Sequence, residues 1–292
     1  MKYTMTEIIA SEIKFDAYSP KEIASRVETI GTGKANLKFL AKFTLSVLAG
    51  VFIAFGAVLF TLVVHDSKMS FGLTQAIGGL SFCLGLILVV VAGAELFTGN
   101  NLLVMAYVSK KISLGQLLEN WVVVYFGNFA GAVSIALWIY LTRQWQMNTN
   151  LVGAKALLIA NAKVSLPFIV AFSRGVLCNA LVCLAVWLCM SGRTTTDKIL
   201  SILFPITAFV ALGFEHSVAN MYFIPMGLLL KNNPAVLEAA AVLTGKVNDF
   251  SCLTIRGLFM KNLLPVTLGN IIGGGVLVGL VYWFIYLRGK KE

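Results

Sequence analysis

Between residues 206 and 230 the chain is almost wholly apolar except at one place. There, Gly213-Phe214-Glu215-His216-Ser217-Val218-Ala219-Asn220 sets a carboxylate, an imidazole, a hydroxyl and an amide within six residues. Polar and ionisable groups inside a membrane-length apolar segment are costly, so they line a cavity, pair with one another or carry function. The pattern predicts a helix broken at its middle, forming one half of a pore.

The rest of the composition agrees with a membrane setting. Of 292 residues, 58% are hydrophobic and 12% charged, against roughly 25% charged in a soluble domain. Several apolar runs reach the ~20 helical residues that a hydrocarbon core requires. The net charge of +10 does not argue for a nucleic-acid partner, because the basic residues lie in loops and termini, where membrane topology explains them. The polar N-terminus lacks the apolar core of a signal peptide, so no cleavage is expected. Four of the five cysteines (Cys83, Cys178, Cys183 and Cys189, but not Cys252) fall in apolar spans, and none forms a Cys-x-x-Cys pair. That implies neither a metal site nor a disulfide framework. The only histidines are His65 and His216, so a single chain has no pair to ligate haem or zinc. An enzyme or electron carrier is disfavoured, and no cofactor is expected.

Read in order, residues 1–35 form a cytoplasmic amphipathic segment. Ser19-Pro20-Lys21-Glu22 reads as a capping box with proline at the first helical position. Ile23, Val27 and Ile30 then share one face, and Gly31 and Gly33 end the helix. Such a helix lies on a surface, or it serves as a gate or a docking site for a cytoplasmic regulatory partner. Six spans follow by hydropathy, over 38–64, 73–108, 116–141, 166–190, 199–230 and 263–287, within a transmembrane domain of residues 36–288. The second and fifth are too long for one straight helix. Lys110-Lys111, Arg193 with Lys198, and Arg288, Lys290 and Lys291 fall on the side of the basic N-terminus, which marks that side and the 289–292 tail as cytoplasmic.

The two overlong spans match. Gly93-Ala94-Glu95-Leu96-Phe97-Thr98-Gly99-Asn100-Asn101 interrupts the second as the Gly213 stretch interrupts the fifth, both reading Gly-x-Glu and then Asn. The next spans match too, Asn120 to Asn128 paralleling Asn262 to Asn270, with Gly131 paralleling Gly273. An odd number of spans per copy makes this an inverted three-helix repeat. Interrupted helices at matching positions of two halves point to a transport site. Backbone that leaves the helix in hydrocarbon must be buried in protein or line an aqueous cavity, so the breaks are expected to face each other. Thr98 and His216 are then the candidates to meet a substrate, although a lone buried histidine is more often a satisfied core residue. Glu95 and Glu215 are expected to turn away and brace the loops, accepting hydrogen bonds from the exposed amides of their own breaks. Asn128 and Asn270, each following glycine, read as close helix packing with an interhelical hydrogen bond. The cysteines of the fourth span read as packing or lipid-facing surface.

These blocks resemble the formate/nitrite transporter family, and within it the formate channels. Ala94-Glu95-Leu96-Phe97-Thr98 and Gly213 to Asn220 are the most specific marks, and Met221 to Gly227 and Tyr282 to Arg288 favour the formate branch. The resemblance implies an all-α, aquaporin-like protomer with one pore, five around an axis, in the bacterial inner membrane. It implies that Thr98 and His216 face each other between two apolar slits carrying Phe82, Leu86, Leu96, Phe97, Val182 and Phe209. It implies further that Asn179 and Asn220 line the pore, that Lys163 draws anions into the outer vestibule, and that Glu215 braces the histidine loop. Formate would cross as the acid or as an anion helped by the imidazole. Nitrite or hydrosulfide permeation, and proton-coupled carriage by alternating access, remain as alternatives.

Overall fold

The computed structural model describes residues 16–289, so the expectations for residues 1–15 and 290–292 lie outside it. The described residues form helices and no strand. Helix α1 (Pro20–Ala35) opens with the capping box: the Glu22 amide donates to Ser19 Oγ, and the Ser19 amide to the Glu22 carboxylate. The glycines do not end it. Gly31 lies inside the helix against Leu103 and Ala106, and Ile23, Ala24 and Val27 are buried with Leu102, Met105 and Trp187. That packing outweighs the ~1 kcal/mol that a helical glycine costs relative to alanine. The segment is thus docked on the helical body and does not lie beside it.

Among the described residues five helices are long and apolar enough to cross a membrane: α2 (Phe39–Val64), α3 (Phe71–Gly93), α5 (Leu114–Leu141), α7 (Phe168–Ser191) and α11 (Gly257–Tyr286). The overlong second stretch divides into α3, three extended residues and the helical segment α4 over 97–108. The expected fifth span is likewise two shorter helices, α8 (Thr195–Ala211) and α9 (Ser217–Leu230), separated at 212–216. The long loops contain helices of their own, α6 (Leu151–Val164) and α10 (Pro234–Thr244). Hydropathy does not announce these because they are partly polar.

Packing follows one plan twice. Helix α2 packs on α5 and α3, while α7 packs on α11 and α8. Glycine makes the closest contacts possible. A Cβ on Gly131 would come within 2.0 Å of the Val47 carbonyl oxygen, and one on Gly273 within 2.0 Å of that of Val176. The fourth-span cysteines are buried packing groups. Alanine at either glycine should strain the helix pair by about 1–3 kcal/mol. Gly131→Ala and Gly273→Ala are therefore expected to lower the thermal unfolding midpoint of the detergent-purified protein. Gly72→Ala, with nothing within 4 Å of the added carbon, should leave it unchanged or raise it.

Candidate functional site

The two breaks are built alike. Gly93 (φ +85°) closes α3 and Gly213 (φ +69°) closes α8, a left-handed backbone that only glycine adopts at no steric cost. The following amide returns to a carbonyl five residues back, Ala94 to Val89 and Phe214 to Phe209, each at 3.0 Å. Beyond each glycine the chain runs extended for three residues, 94–96 and 214–216.

Backbone freed in this way needs partners, and asparagine supplies them. Asn128 Oδ1 accepts from the Phe97 amide at 2.9 Å, while its Nδ2 donates to the carbonyls of Ser46 (2.7 Å) and Glu95 (2.9 Å). Asn270 does the same at the other break, accepting from the Ser217 amide at 3.0 Å and donating to Gly175 (2.8 Å) and Glu215 (3.0 Å). The Glu95 and Glu215 amides reach the Leu45 and Arg174 carbonyls. These two asparagines make the interhelical hydrogen bonds expected of them, to Ser46 and Gly175, and beyond that expectation they clamp the breaks.

The carboxylates correspondingly differ from expectation. They accept from side chains, not from the amides of their own breaks. Glu95 takes Asn100 Nδ2 at 2.7 Å and Lys34 Nζ at 3.0 Å. Glu215 takes Asn220 Nδ2 at 2.6 Å and Lys163 Nζ at 3.0 Å. Asn100 passes a second bond to Asn120 (3.0 Å), and Asn220 one to Asn262 (2.7 Å). Asn120 and Asn262 then donate to the backbone carbonyls of Lys34 and Lys163. The physical reason is supply: with Asn128 and Asn270 on the backbone, each nearly buried carboxylate needs a cation and side-chain donors to offset its desolvation.

Thr98 and His216 meet between these networks, with Thr98 Oγ1 and His216 Nε2 2.9 Å apart and both side chains buried. His216 also caps α9, its Nδ1 accepting from the Ala219 amide at 3.1 Å. A nitrogen that accepts carries no proton, so in the neutral ring the hydrogen is on Nε2 and points at Thr98. Two cavities approach this pair. The first, about 630 Å³, is lined by Lys34, Glu95, Leu86 and Leu96 among others. The second, about 300 Å³, includes Lys163, Glu215, His216, Phe82 and Phe209. Phe82 and Leu86 are four residues apart on α3, so along that helix the cavities come within about 6 Å of each other. Phe209 stacks on the His216 ring (centroids 5.9 Å) and meets Phe82 edge-on (5.7 Å).

Other candidates fall elsewhere. Phe97 packs against Tyr125 and Trp121, and Val182 is buried in the core. Asn179 donates to the carbonyls of Thr98 (3.2 Å) and Asn270 (2.7 Å), and Asn220 belongs to the Glu215 network. None of these four lines either cavity.

The family profile described as formate/nitrite transporter matches residues 21–284. The chain belongs to the formate/nitrite transporter family. The formate channel FocA of Escherichia coli K12 is 44% identical over 275 residues, spanning 94% of this chain and 96% of that relative. FocA of Haemophilus influenzae is 40% identical, spanning 90% and 93%. Among solved structures, a pentameric formate channel with formate bound superposes with a TM-score of 0.78 at 42% identity, covering 86% of this chain and 98% of that one.

In this transporter the sequence reading missed Lys34, Asn100, Asn120 and Asn262. The asparagines carried a usable signal: Asn120 and Asn128, like Asn262 and Asn270, are eight residues apart and fall on one helix face. Lys34 carried none, because its partner Asn100 is 66 residues away. Truncating a clamp strands three buried backbone groups, at ~1–3 kcal/mol each. Asn128→Ala and Asn270→Ala should each lower stability by roughly 3–5 kcal/mol, read as a large fall in the thermal midpoint. Loss of only a degree or two would mean that the breaks hold themselves.

Proposed function

We propose that this protein is a channel that passes formate and similar small monovalent weak-acid anions across the bacterial inner membrane. On this reading the protomer has six spans in an inverted, aquaporin-like three-helix repeat, with broken second and fifth spans, and five protomers form a ring. The observation that carries the reading is the buried Thr98–His216 pair, with His216 on the wall of the second cavity and Gly99, the neighbour of Thr98, on the wall of the first. The paired clamp and carboxylate networks support the repeat. Interrupted helices with matched bracing are how membrane transport sites are commonly built. Lys111 pairs with Glu28 of α1 at 2.7 Å, and the Arg193 guanidinium lies 4.1 Å from the centre of the Tyr18 ring. The basic loops therefore share a face with α1, which supports a cytoplasmic N-terminus under the positive-inside rule.

The chemistry follows from the geometry. His216 Nε2–H donates to Thr98 Oγ1, whose only partner among the described residues is that imidazole, so the Thr98 hydroxyl hydrogen is free for a carboxylate, and Nε2–H becomes a second donor when it turns from Thr98 to the substrate. Phe82 and Phe209 on one side, and Leu86 and Leu96 on the other, form dry constrictions. An anion stripped of water there faces a penalty of several kcal/mol even after relaxation. Protonation of the anion removes most of that penalty. Weak acids of low molecular volume are therefore the favoured cargo. Asn179 and Asn220 act on the pathway through the breaks they hold, and Glu95 and Glu215 brace them.

His216→Asn and Thr98→Ala each remove one donor to a charged substrate, worth about 1.5–3 kcal/mol. Formate flux in proteoliposomes should fall by roughly ten- to a hundredfold, and His216→Asn should also flatten its pH dependence. Unchanged flux and pH profile would sink the central role of His216. Competition among formate, nitrite, acetate, lactate and hydrosulfide at two pH values ranks the substrates. Saturable flux with a fixed proton stoichiometry would indicate a proton-coupled carrier in place of a channel.

A further inference from the structure

The two cavities carry different net charge. Lys34 and Glu95 are the only charged residues on the described wall of the first, and they pair with each other at 3.0 Å. The second has three cations, Lys155, Lys163 and Arg174, against the single carboxylate of Glu215. Lys163 is already committed to Glu215 at 3.0 Å, so its field beyond the pair is that of a dipole. Lys155 and Arg174 have neither an ion pair nor a side-chain hydrogen bond to any described residue. Lys155 lies two turns from Lys163 on the same face of α6, and Arg174 projects from α7, one residue before the Gly175 carbonyl held by Asn270. Phenylalanines 60, 82, 209 and 223 form much of the remaining wall. A low-dielectric wall concentrates the field of uncompensated charge within the cavity.

We propose that Lys155 and Arg174 form an anion-capture subsite at the mouth of the second cavity, and that they, more than the paired Lys163, give this mouth its attraction for monovalent anions. The inference deepens the channel reading and rests on it for the identity of the cargo. Burial draws the Lys155 ammonium below the ordinary lysine value, as expected for a desolvated cation without a counter-ion. A carboxylate arriving there supplies that counter-ion, and the planar Arg174 fork donates two N–H groups to it. Among the described residues the mouth beside α1 has no such surplus, so capture is faster from the second cavity at equal concentration. Equilibrium across the membrane is unaffected, since the subsite changes rates of arrival only.

The test reads the local potential without requiring transport. In a Cys252→Ser background, where the remaining native cysteines are buried, Ala162→Cys places a thiol on the second cavity and Ile30→Cys one on the first. Each intact protein is labelled in liposomes of neutral lipid with an anionic and a cationic methanethiosulfonate, and modification is followed by mass. At low salt the anionic-to-cationic rate ratio should be about tenfold or more higher at Ala162→Cys, and it should collapse towards the Ile30→Cys value above ~0.5 M salt. Lys155→Gln with Arg174→Gln should bring the ratio to the Ile30→Cys value, each single change should go part-way, and Lys155→Arg with Arg174→Lys should retain it. An unchanged ratio in the double neutralised protein, or equal ratios at the two mouths, overturns the proposal. Formate flux measured alongside should show a raised apparent KM and an unchanged maximal rate in that protein. If no formate crosses in the parent protein, the channel reading fails while the labelling ratio still decides the subsite.

Discussion

Everything in this structure depends on satisfying backbone that has left its helix within a membrane. Hydrocarbon offers no hydrogen bonds, so an extended stretch there is stable only if protein supplies every partner. Asn128 and Asn270 are suited to this because a carboxamide is both donor and acceptor: one side chain holds an amide on one edge and two carbonyls on the other. An aspartate lacks the donors, and a serine reaches fewer groups. The close approach of neighbouring helices through Gly127, Gly131, Gly269 and Gly273 brings the asparagines within reach. Packing and polar satisfaction are thus one constraint, and glycine beside asparagine is its sequence form.

The breaks are alike in scaffold and unlike in chemistry. At the position one residue after each braced carboxylate, Leu96 stands in the first break and His216 in the second. Two residues further on, Thr98 stands where the second break has Val218. The two matching breaks bring Thr98 and His216 into contact, and each contributes one polar group. The result is a single hydroxyl–imidazole pair, with apolar residues at the reciprocal positions. Two identical breaks would have given two histidines and two hydroxyls, a wetter and more costly centre. One pair between apolar walls is the smallest polar site that still offers two donors.

Much of the frame was legible. Gly-x-Glu with a trailing Asn located both breaks, because glycine marks a left-handed turn and an ionisable residue in an apolar run marks a cavity or a partner. Thr98 and His216 were legible as a pair because the repeat predicted facing breaks. Less legible was the allocation of hydrogen bonds. Whether Glu215 accepts from its own loop or from Lys163 depends on α6, a helix hidden in what hydropathy read as a loop. The role of α1 was hidden for the same reason. Its glycines look like stops, yet contacts with Leu102, Met105 and Trp187, far away in sequence, keep it helical and bring Lys34 to Glu95. Local propensity cannot report a partner supplied by tertiary structure.

The matched bracing also bears on what the lysines do. Lys34 and Lys163 hold equivalent carboxylates in equivalent geometry, each with a backbone carbonyl tied to a second asparagine. The carboxylates are nearly buried and the lysines partly exposed, and removing a lysine would leave a desolvated carboxylate unpaired, so each ammonium is committed first to its carboxylate and not to a passing anion. On the proposed reading, their first task is to keep Glu95 and Glu215 from presenting free negative charge beside the anion pathway. Attraction then has to come from charge outside the bracing. Among the described residues such charge is found beside Lys163 and not beside Lys34, which gives two cavities built on one plan different electrostatic characters.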